Sequence, residues 1–277
     1  MGTIVGGFGA PHSPSLPSVV AKNPAFVENA LYADLRRHIE EVKADVVLIF
    51  SNDHFNTFFY DNFPLFSVGV APETSGPNDE TPMPHHKIPL HEGLAAHIHR
   101  TGISNGFDLS LTQEFTVDHA FAVPWHFIGA DRPIQMVPIF VNCFSNPLPL
   151  ASRAHDLGRM IGSAIRTFPE DIRVAVFASG SFSLEIGGPQ IPPNERSGVP
   201  DRVWVDRIVE CMRKPNIRDL IDEATPLQLL RAGNAGGELL NWIAMLGVIG
   251  DQAPTELHPQ SHGHAFGTWR WDQGNRA

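Results

Sequence analysis

Residues 45–55, DVVLIFSNDHF, read as a strand that runs apolar on both faces and then stops abruptly in polar residues. The run 46–50 is rich in β-branched types and leaves no face for water, as expected of a strand covered by helices on both sides. Residues 3–8, 65–70, 136–141 and 174–178 repeat the pattern, bounded by Gly, Pro or Asp. Between these runs, residues 24–42, 90–101, 151–168, 201–213 and 235–246 carry apolar side chains at helical spacing, with Pro24 near the first turn of the first of them. Alternating strand and helix predict an α/β fold: one domain over 1–277, a central mixed sheet flanked by helices, and a site at the strand ends. Residues 252–277 stand apart as a C-terminal tail containing His and Trp.

The chain has 277 residues, 42% of them hydrophobic and 18% charged, which suffices for one large core. Its formal net charge is -10 at pH 7 and it has no Lys/Arg run, which argues against nucleic acid or an anionic membrane as partner. No apolar stretch reaches the length of a membrane span, and the N-terminus lacks the basic, apolar and cleavage regions of a leader, so a cytoplasmic protein is expected. Cys143 and Cys211 lie in apolar contexts, IFVNCF and RIVECM, without a CxxC pattern, and read as buried thiols of a reducing compartment. Histidine is the informative residue: fourteen are present against two tyrosines, and imidazole is the commonest side-chain ligand of transition metals.

The strand-end rule gives that excess a place. His12 follows the first strand in FGAPHSP, where Pro11 and Pro14 hold the segment extended. His54 follows the second strand in the same way, and ligands of open α/β sheets gather at the carboxyl ends of strands. Glu238 opens NAGGELLNWIAMLG, a segment too apolar for a solvent-facing helix, so its carboxylate points inward and needs a cation or hydrogen-bond donors. Placement in a first turn, where the helix dipole favours a carboxylate, is the simpler explanation of the same residue. Two histidines and a carboxylate form the facial set of non-haem iron(II) oxygenases, which leaves positions for substrate and O₂.

Several segments together resemble a known family. GGFGAPHSPSLP (6–17), DVVLIFSNDHFNTFFYDNFPLFSVGVA (45–71), TVDHAFAVPWHF (116–127), VAVFASGSFSLEIGG (174–188) and AGGELLNWIAMLG (235–247) are similar, in this order, to the catalytic subunit of class III extradiol dioxygenases, nearest to the protocatechuate 4,5-dioxygenase and gallate dioxygenase branch. The resemblance implies that His12, His54 and Glu238 bind Fe(II) and that a dihydroxylated aromatic ring is opened beside its hydroxyl-bearing carbons with O₂. It implies an acid/base role for His119, with Asp118 orienting the ring; a capping Asp beside a hydrogen-bonded loop His is the plainer alternative. Asn52 and Asp53 are expected to orient His54, and Ser181, Ser183 and Glu185 to line the substrate pocket.

At one position the chain departs from this pattern. The family carries a histidine for proton transfer in a segment like GGxSH, and the aligned text here places Leu184 there. A leucine moves no protons, and acid/base help is commonly worth about 10²–10⁴ in rate. Either the substrate ionises without a second base, or Glu185, His119 or His264 substitutes, or the chain is a non-catalytic subunit of a heteromeric dioxygenase. A zinc-dependent relative acting on dihydroxyphenylalanine-like molecules is a further alternative. The tail segment HPQSHGHAFGTWRW carries His258, His262 and His264 with Trp269 and Trp271, and reads as a lid, a subunit contact or an ordered tail. The His85-His86 pair is expected at the surface. Proline-rich loops at 70–89, 145–150 and 187–200 are cleft walls or passive connections. The expected partners are a small aromatic substrate, O₂, and a second copy in a homodimer, with a small accessory subunit left open.

Overall fold

The computed structural model describes residues 1–214, 217–250 and 252–270. In chain order the elements are β1 (Thr3–Ala10), α1 (Leu16–Lys22), α2 (Val27–Glu41), β2 (Val46–Ser51), β3 (Phe66–Gly69), β4 (Glu73–Gly76), β5 (His86–Pro89), α3 (Glu92–Ser104), β6 (Ser110–Thr112), α4 (His119–Ile128), β7 (Gln135–Val141) and α5 (Ala151–Thr167). Then follow β8 (Arg173–Ser179), β9 (Glu185–Ile186), β10 (Ser197–Gly198), α6 (Arg202–Met212), α7 (Ile217–Glu223), α8 (Pro226–Arg231), a 3₁₀ turn (Gly236–Glu238), α9 (Leu239–Ile249), β11 (Glu256–Pro259) and β12 (Ala265–Trp269). The central sheet has the order β11-β12-β1-β8-β2-β7-β3-β6 and is mixed. Strands β1, β8, β2 and β7 run parallel to one another, whereas β12 joins β1, and β3 joins β7, antiparallel.

The unbroken apolar run of β2 is explained by its two neighbours in depth. Val46, Leu48 and Phe50 pack into one core with Leu94 of α3, Ile161 of α5 and Ile243 of α9. Val47 and Ile49 alternate into a second core with Leu35 of α2 and Phe121 and Trp125 of α4. A strand with a core on each face has no position where a polar side chain meets water. The α/β architecture with a mixed sheet between helices is therefore present as expected, and among the described residues no helix is long and apolar enough to cross a membrane. Both cysteines are buried free thiols.

Three local departures have physical reasons. The helix expected over 24–42 begins only at Val27, because the Phe26 N–H donates to Asn23 O and closes a turn that leaves Pro24 outside. Residues 252–270, expected as a tail set apart, join the sheet: β11 and β12 form a hairpin that extends it, with Gly9 paired to Gly267 and Phe8 to Thr268, burying Phe266 and Trp269. Trp271 lies outside the described residues. The segment TVDHAFAVPWHF, which carries no helix expectation, forms most of α4 from His119 onward despite Pro124 in its interior.

That proline explains a bond that positions the site. Pro124 has no N–H to give to the carbonyl of Ala120 one turn earlier, so the carbonyl needs another donor. The Ser51 hydroxyl at the end of β2 donates to Ala120 O at 2.9 Å and meets the need, tying the end of β2 to the first turn of α4. Ser51→Ala leaves this buried carbonyl unsatisfied and is expected to cost about 1–3 kcal/mol. In a Pro124→Ala background the helix supplies its own donor, so the same substitution should cost clearly less. Thermal or denaturant unfolding of the four variants measures the coupling, and equal costs in both backgrounds would dismiss it.

Candidate metal centre

Parallel strands β1, β8 and β2 deliver their carboxyl ends to one edge of the sheet. His12 lies just past β1, on a segment pinned by the Tyr32 hydroxyl, which donates to Pro11 O. His54 lies just past β2, and the loop after β8 brings in Ser179 to Ser181. Glu238 ends the 3₁₀ turn that leads into α9, whose Asn241 and Trp242 donate to Ser179 O and Gly180 O and hold the turn against the β8 loop.

Nε2 of His12 lies 3.2 Å from Glu238 Oε1, and Nε2 of His54 lies 3.7 Å from the same oxygen. His119 stacks on His54 with ring centroids 4.3 Å apart, and one ring nitrogen from each of His12, His54 and His119 lies within 4.8 Å of the others. Histidines and a carboxylate thus face one point. The trio of imidazoles and the set with Glu238 are both formally possible ligand groups. A buried carboxylate oxygen facing two imidazole nitrogens demands a proton or a cation between them, which favours including Glu238.

Each group is held from behind by a partner. Ser179 Oγ meets His12 Nδ1 at 2.8 Å. Asp118 Oδ2 accepts from His54 Nδ1 at 3.0 Å and from the His54 N–H at 2.7 Å, while its Oδ1 caps α4 by accepting from Ala120 N. Asp79, from the loop after β4, holds His119 Nδ1 at 2.6 Å. The Ser181 N–H donates to Glu238 Oε2 at 2.7 Å. Asn52 approaches His54 Nε2 through its amide nitrogen at 3.3 Å. The expected roles of the two aspartates are corrected here: Asp118 orients His54 rather than His119, and Asp53 binds the N–H groups of Asn56, Thr57 and Phe58, shaping the loop without touching the ring. Asp79 was not singled out in the sequence, because only packing shows which acidic residue of the 70–89 loop turns inward.

Electrostatics follow from this geometry. Burial works against a charged His54, but Asp118 and Glu238 outweigh it and push its pKa up to about 10. Burial dominates at His12 and pulls its pKa below the ordinary value in spite of Glu238. Burial would raise Glu238, yet His12 and His54 hold its carboxyl well below the usual carboxylate range, and Asp118 is lowered likewise by His54. A dication at this point would take the place of the His54 proton, and imidazole plus carboxylate suits a divalent transition ion.

A cavity of about 440 Å³ opens over this point, and His12, His54, His119, Ser181 and Glu238 line it. Leu184, Leu16, Phe26 and Val199 supply apolar wall, and Glu28, Arg196, His262 and His264 supply polar groups. Of the proline-rich loops, 187–200 contributes to the lining through Arg196 to Val199. Ser183 and Glu185, expected in the pocket, are not in its lining. The Ser183 hydroxyl donates to Ala232 O, and Glu185 accepts from Asn234 N at 2.6 Å, so both stitch loops together. His86 is half-buried and bonded to His126 at 3.0 Å rather than lying free at the surface with His85. Glu28 and Arg196 carried no signal in the sequence beyond their charge.

A sequence profile described as the catalytic LigB subunit of aromatic ring-opening dioxygenase matches residues 6–268. The chain is 27% identical over 282 residues to a Klebsiella pneumoniae protein named 2,3-dihydroxyphenylpropionate/2,3-dihydroxicinnamic acid 1,2-dioxygenase, covering 87% of this chain and 83% of that one. Proteins of the same name from Escherichia coli and Photorhabdus laumondii are 26% identical over 304 residues (94% and 89% covered) and 32% identical over 197 residues (70% and 58% covered). A crystallographically solved, uncharacterized protein of Escherichia coli K12 shares the fold with a TM-score of 0.55 at 14% identity, over 95% of this chain and 98% of that one.

With His54 protonated and Glu238 and His12 already in ligand form at neutral pH, a divalent ion added to metal-free protein at pH 7 is expected to release about one proton per ion bound. Apparent affinity should then rise about tenfold per pH unit above neutrality until the His54 pKa is passed. Calorimetry in buffers of different ionisation enthalpy measures the release. Tight binding without it would place the ion elsewhere.

Proposed function

Because the chain belongs to the LigB family, the catalytic subunits of aromatic ring-opening dioxygenases, we propose that it is a ferrous extradiol enzyme whose substrate is a catechol bearing a carboxylated side chain. The observation that carries this reading is the sharing of Glu238 Oε1 by the His12 and His54 imidazoles beneath an aromatic-sized cavity. In it, His12, His54 and Glu238 hold the iron and leave positions open, as the facial set does. Ferrous ion, when bound, supplies the chelation that lowers the cost of deprotonating the diol and the route by which ring electrons reach O₂.

The remaining work falls to this chain's side chains. His119 is fixed through Nδ1 by Asp79, so Nε2 is the nitrogen left to take a hydroxyl proton from the ring. The His54 and His119 stack restricts both rings to one orientation. Leu16, Phe26, Leu184 and Val199 exclude water from the faces of the substrate. Arg196 is the one Lys or Arg among the described lining residues and sits exposed at the rim, on the loop that leads into β10. A guidinium there suits a carboxylate at the end of a flexible substituent, as on the 2,3-dihydroxyphenylpropionate for which the relatives are named. That choice departs from the protocatechuate and gallate branch, where the carboxylate stands directly on the ring.

Ferrous-loaded protein with 3-(2,3-dihydroxyphenyl)propionate under O₂ is expected to consume one O₂ per substrate and to produce a ring-opened chromophore, measured by oxygen electrode and absorbance. Glu238→Gln should lose iron and activity together. No O₂ uptake on any of a panel of catechols, gallates, aminophenols and hydroxypyridines would dismiss the reading, and zinc in protein purified without oxygen would redirect it. Arg196→Met should raise KM for the carboxylated catechol by about 10-fold, the worth of a charge-assisted hydrogen bond, and by less for catechol itself. Equal effects on both would leave Arg196 without a role in specificity.

A further inference from the structure

A second group of acid and imidazole faces the same cavity and is used by none of the roles above. Glu28, in the first turn of α2, and His264, just before β12, are both 5% exposed, and His264 Nε2 lies 3.2 Å from Glu28 Oε1. Both line the cavity, as does His262, which is exposed and holds its ring nearly parallel to that of His264 at 6.0 Å between centroids. A buried carboxylate and imidazole cost desolvation, and a purely structural contact at a hairpin edge is met as well by apolar side chains.

The hairpin register explains how this pair reaches the metal centre. Gly9 pairs with Gly267 and Phe8 with Thr268, so β12 runs beside the strand that leads to His12, and His12 and His264 line the same cavity. The turn before His264 is also bonded to the loop that carries Leu184: the N–H groups of Phe182 and Ser183 both donate to Gly263 O, at 2.7 and 3.1 Å. Gly263 has φ +79, and a side chain there would meet Ser183 O at 2.2 Å, so only glycine lets the two loops close on one another. The result puts an imidazole beside the wall where Leu184 offers no proton acceptor.

Resting on the ring-opening reading, we infer that His264, oriented by Glu28, is a second acid/base of the reaction, with His262 linking it to solvent at the rim. Nε2–H donates to Glu28, which leaves the Nδ1 lone pair for the cavity. One ring hydroxyl gives its proton to His119 and the other to His264 Nδ1. In each case the new N–H bond replaces the O–H bond and the electron pair stays on oxygen. Both atoms of O₂ enter the product with no net change in protons, so each imidazolium returns its proton as the ring opens. Glu28 acts through His264 and is a positioning residue.

The test uses ferrous-loaded full-length protein. His264→Ala is expected to keep its iron and to bind 3-(2,3-dihydroxyphenyl)propionate anaerobically, while the ultraviolet spectrum of the bound catechol changes to that of a form retaining one hydroxyl proton. Its kcat should fall about 10²-fold with KM little changed. Added imidazole, or Leu184→His in the same background, should restore turnover, which no packing role of His264 explains. Glu28→Gln should lower kcat about 10-fold, again with KM little changed. Unchanged kcat and spectrum in His264→Ala, with the unaltered enzyme active, would overturn this inference alone. An unaltered enzyme that takes up no O₂ with any of the catechols, gallates, aminophenols or hydroxypyridines would remove the parent reading and this one with it. Two metal ions per chain, falling to one in His262→Gln, would make Glu28, His262 and His264 a metal site and overturn the acid/base assignment.

Discussion

One buried carboxylate oxygen shared by two imidazoles, one buried and the other partly so, is the constraint around which the rest of the molecule is arranged. Oε1 of Glu238 sits within 3.2 and 3.7 Å of the His12 and His54 Nε2 atoms, away from solvent. Taking such groups out of water costs several kcal/mol per ion unless the geometry is nearly rigid and every remaining lone pair is satisfied. The surroundings meet that demand group by group, through Ser179 on His12, Asp118 on His54, Asp79 on His119 and the Ser181 N–H on Glu238. Partners at one remove fix ring orientation and tautomer, and with them the point where donor atoms converge.

The same bonds that build the site also build the fold, so the two cannot vary separately. Asp118 uses one oxygen to cap α4 and the other to hold His54. Ser51 satisfies the carbonyl that Pro124 leaves without a donor, and in doing so locks the first turn of α4, with His119 in it, onto the end of the strand that leads to His54. A proline inside a helix usually reads as a break. Here it marks a place where a helix gives up an internal bond in favour of one to the neighbouring strand.

What the sequence made legible follows from how local each signal is. The parallel strands were readable because a strand between two cores is apolar at every position, and Val46 to Phe50 alternate between those cores without interruption. His12 and His54 were readable because strand ends announce themselves by an abrupt change to polar residues. Asp79, Glu28 and Arg196 were not, since each comes from a loop or helix end whose direction is set by long-range packing. Long-range packing also reassigns the aspartates: Asp118 adjoins His119 in sequence, but a helix cap turns its carboxylate toward His54, and His119 is held by Asp79 instead. Ser183 and Glu185 lie within the expected segment, yet the chain bends at Phe182 and Ser183, so that Ser181 and Leu184 line the cavity while Ser183 and Glu185 bond to the 232–234 turn.

Charge balance ties the metal centre to the opposite wall of the cavity. In the proposed reaction, a dication held by one carboxylate and neutral imidazoles would carry a single positive charge, which a singly ionised catechol would neutralise. Removing the second hydroxyl proton to bulk water would leave a net negative charge in a buried space, an unfavourable state at low effective dielectric. A proton acceptor inside the cavity avoids that state by keeping the proton near the charge it has left. His119 with Asp79 stands on the α4 side and His264 with Glu28 on the β12 side, each an imidazole backed by a carboxylate and each lining the cavity. A leucine at 184 is compatible with such a cavity, because the hairpin beside it supplies an imidazole from another part of the chain.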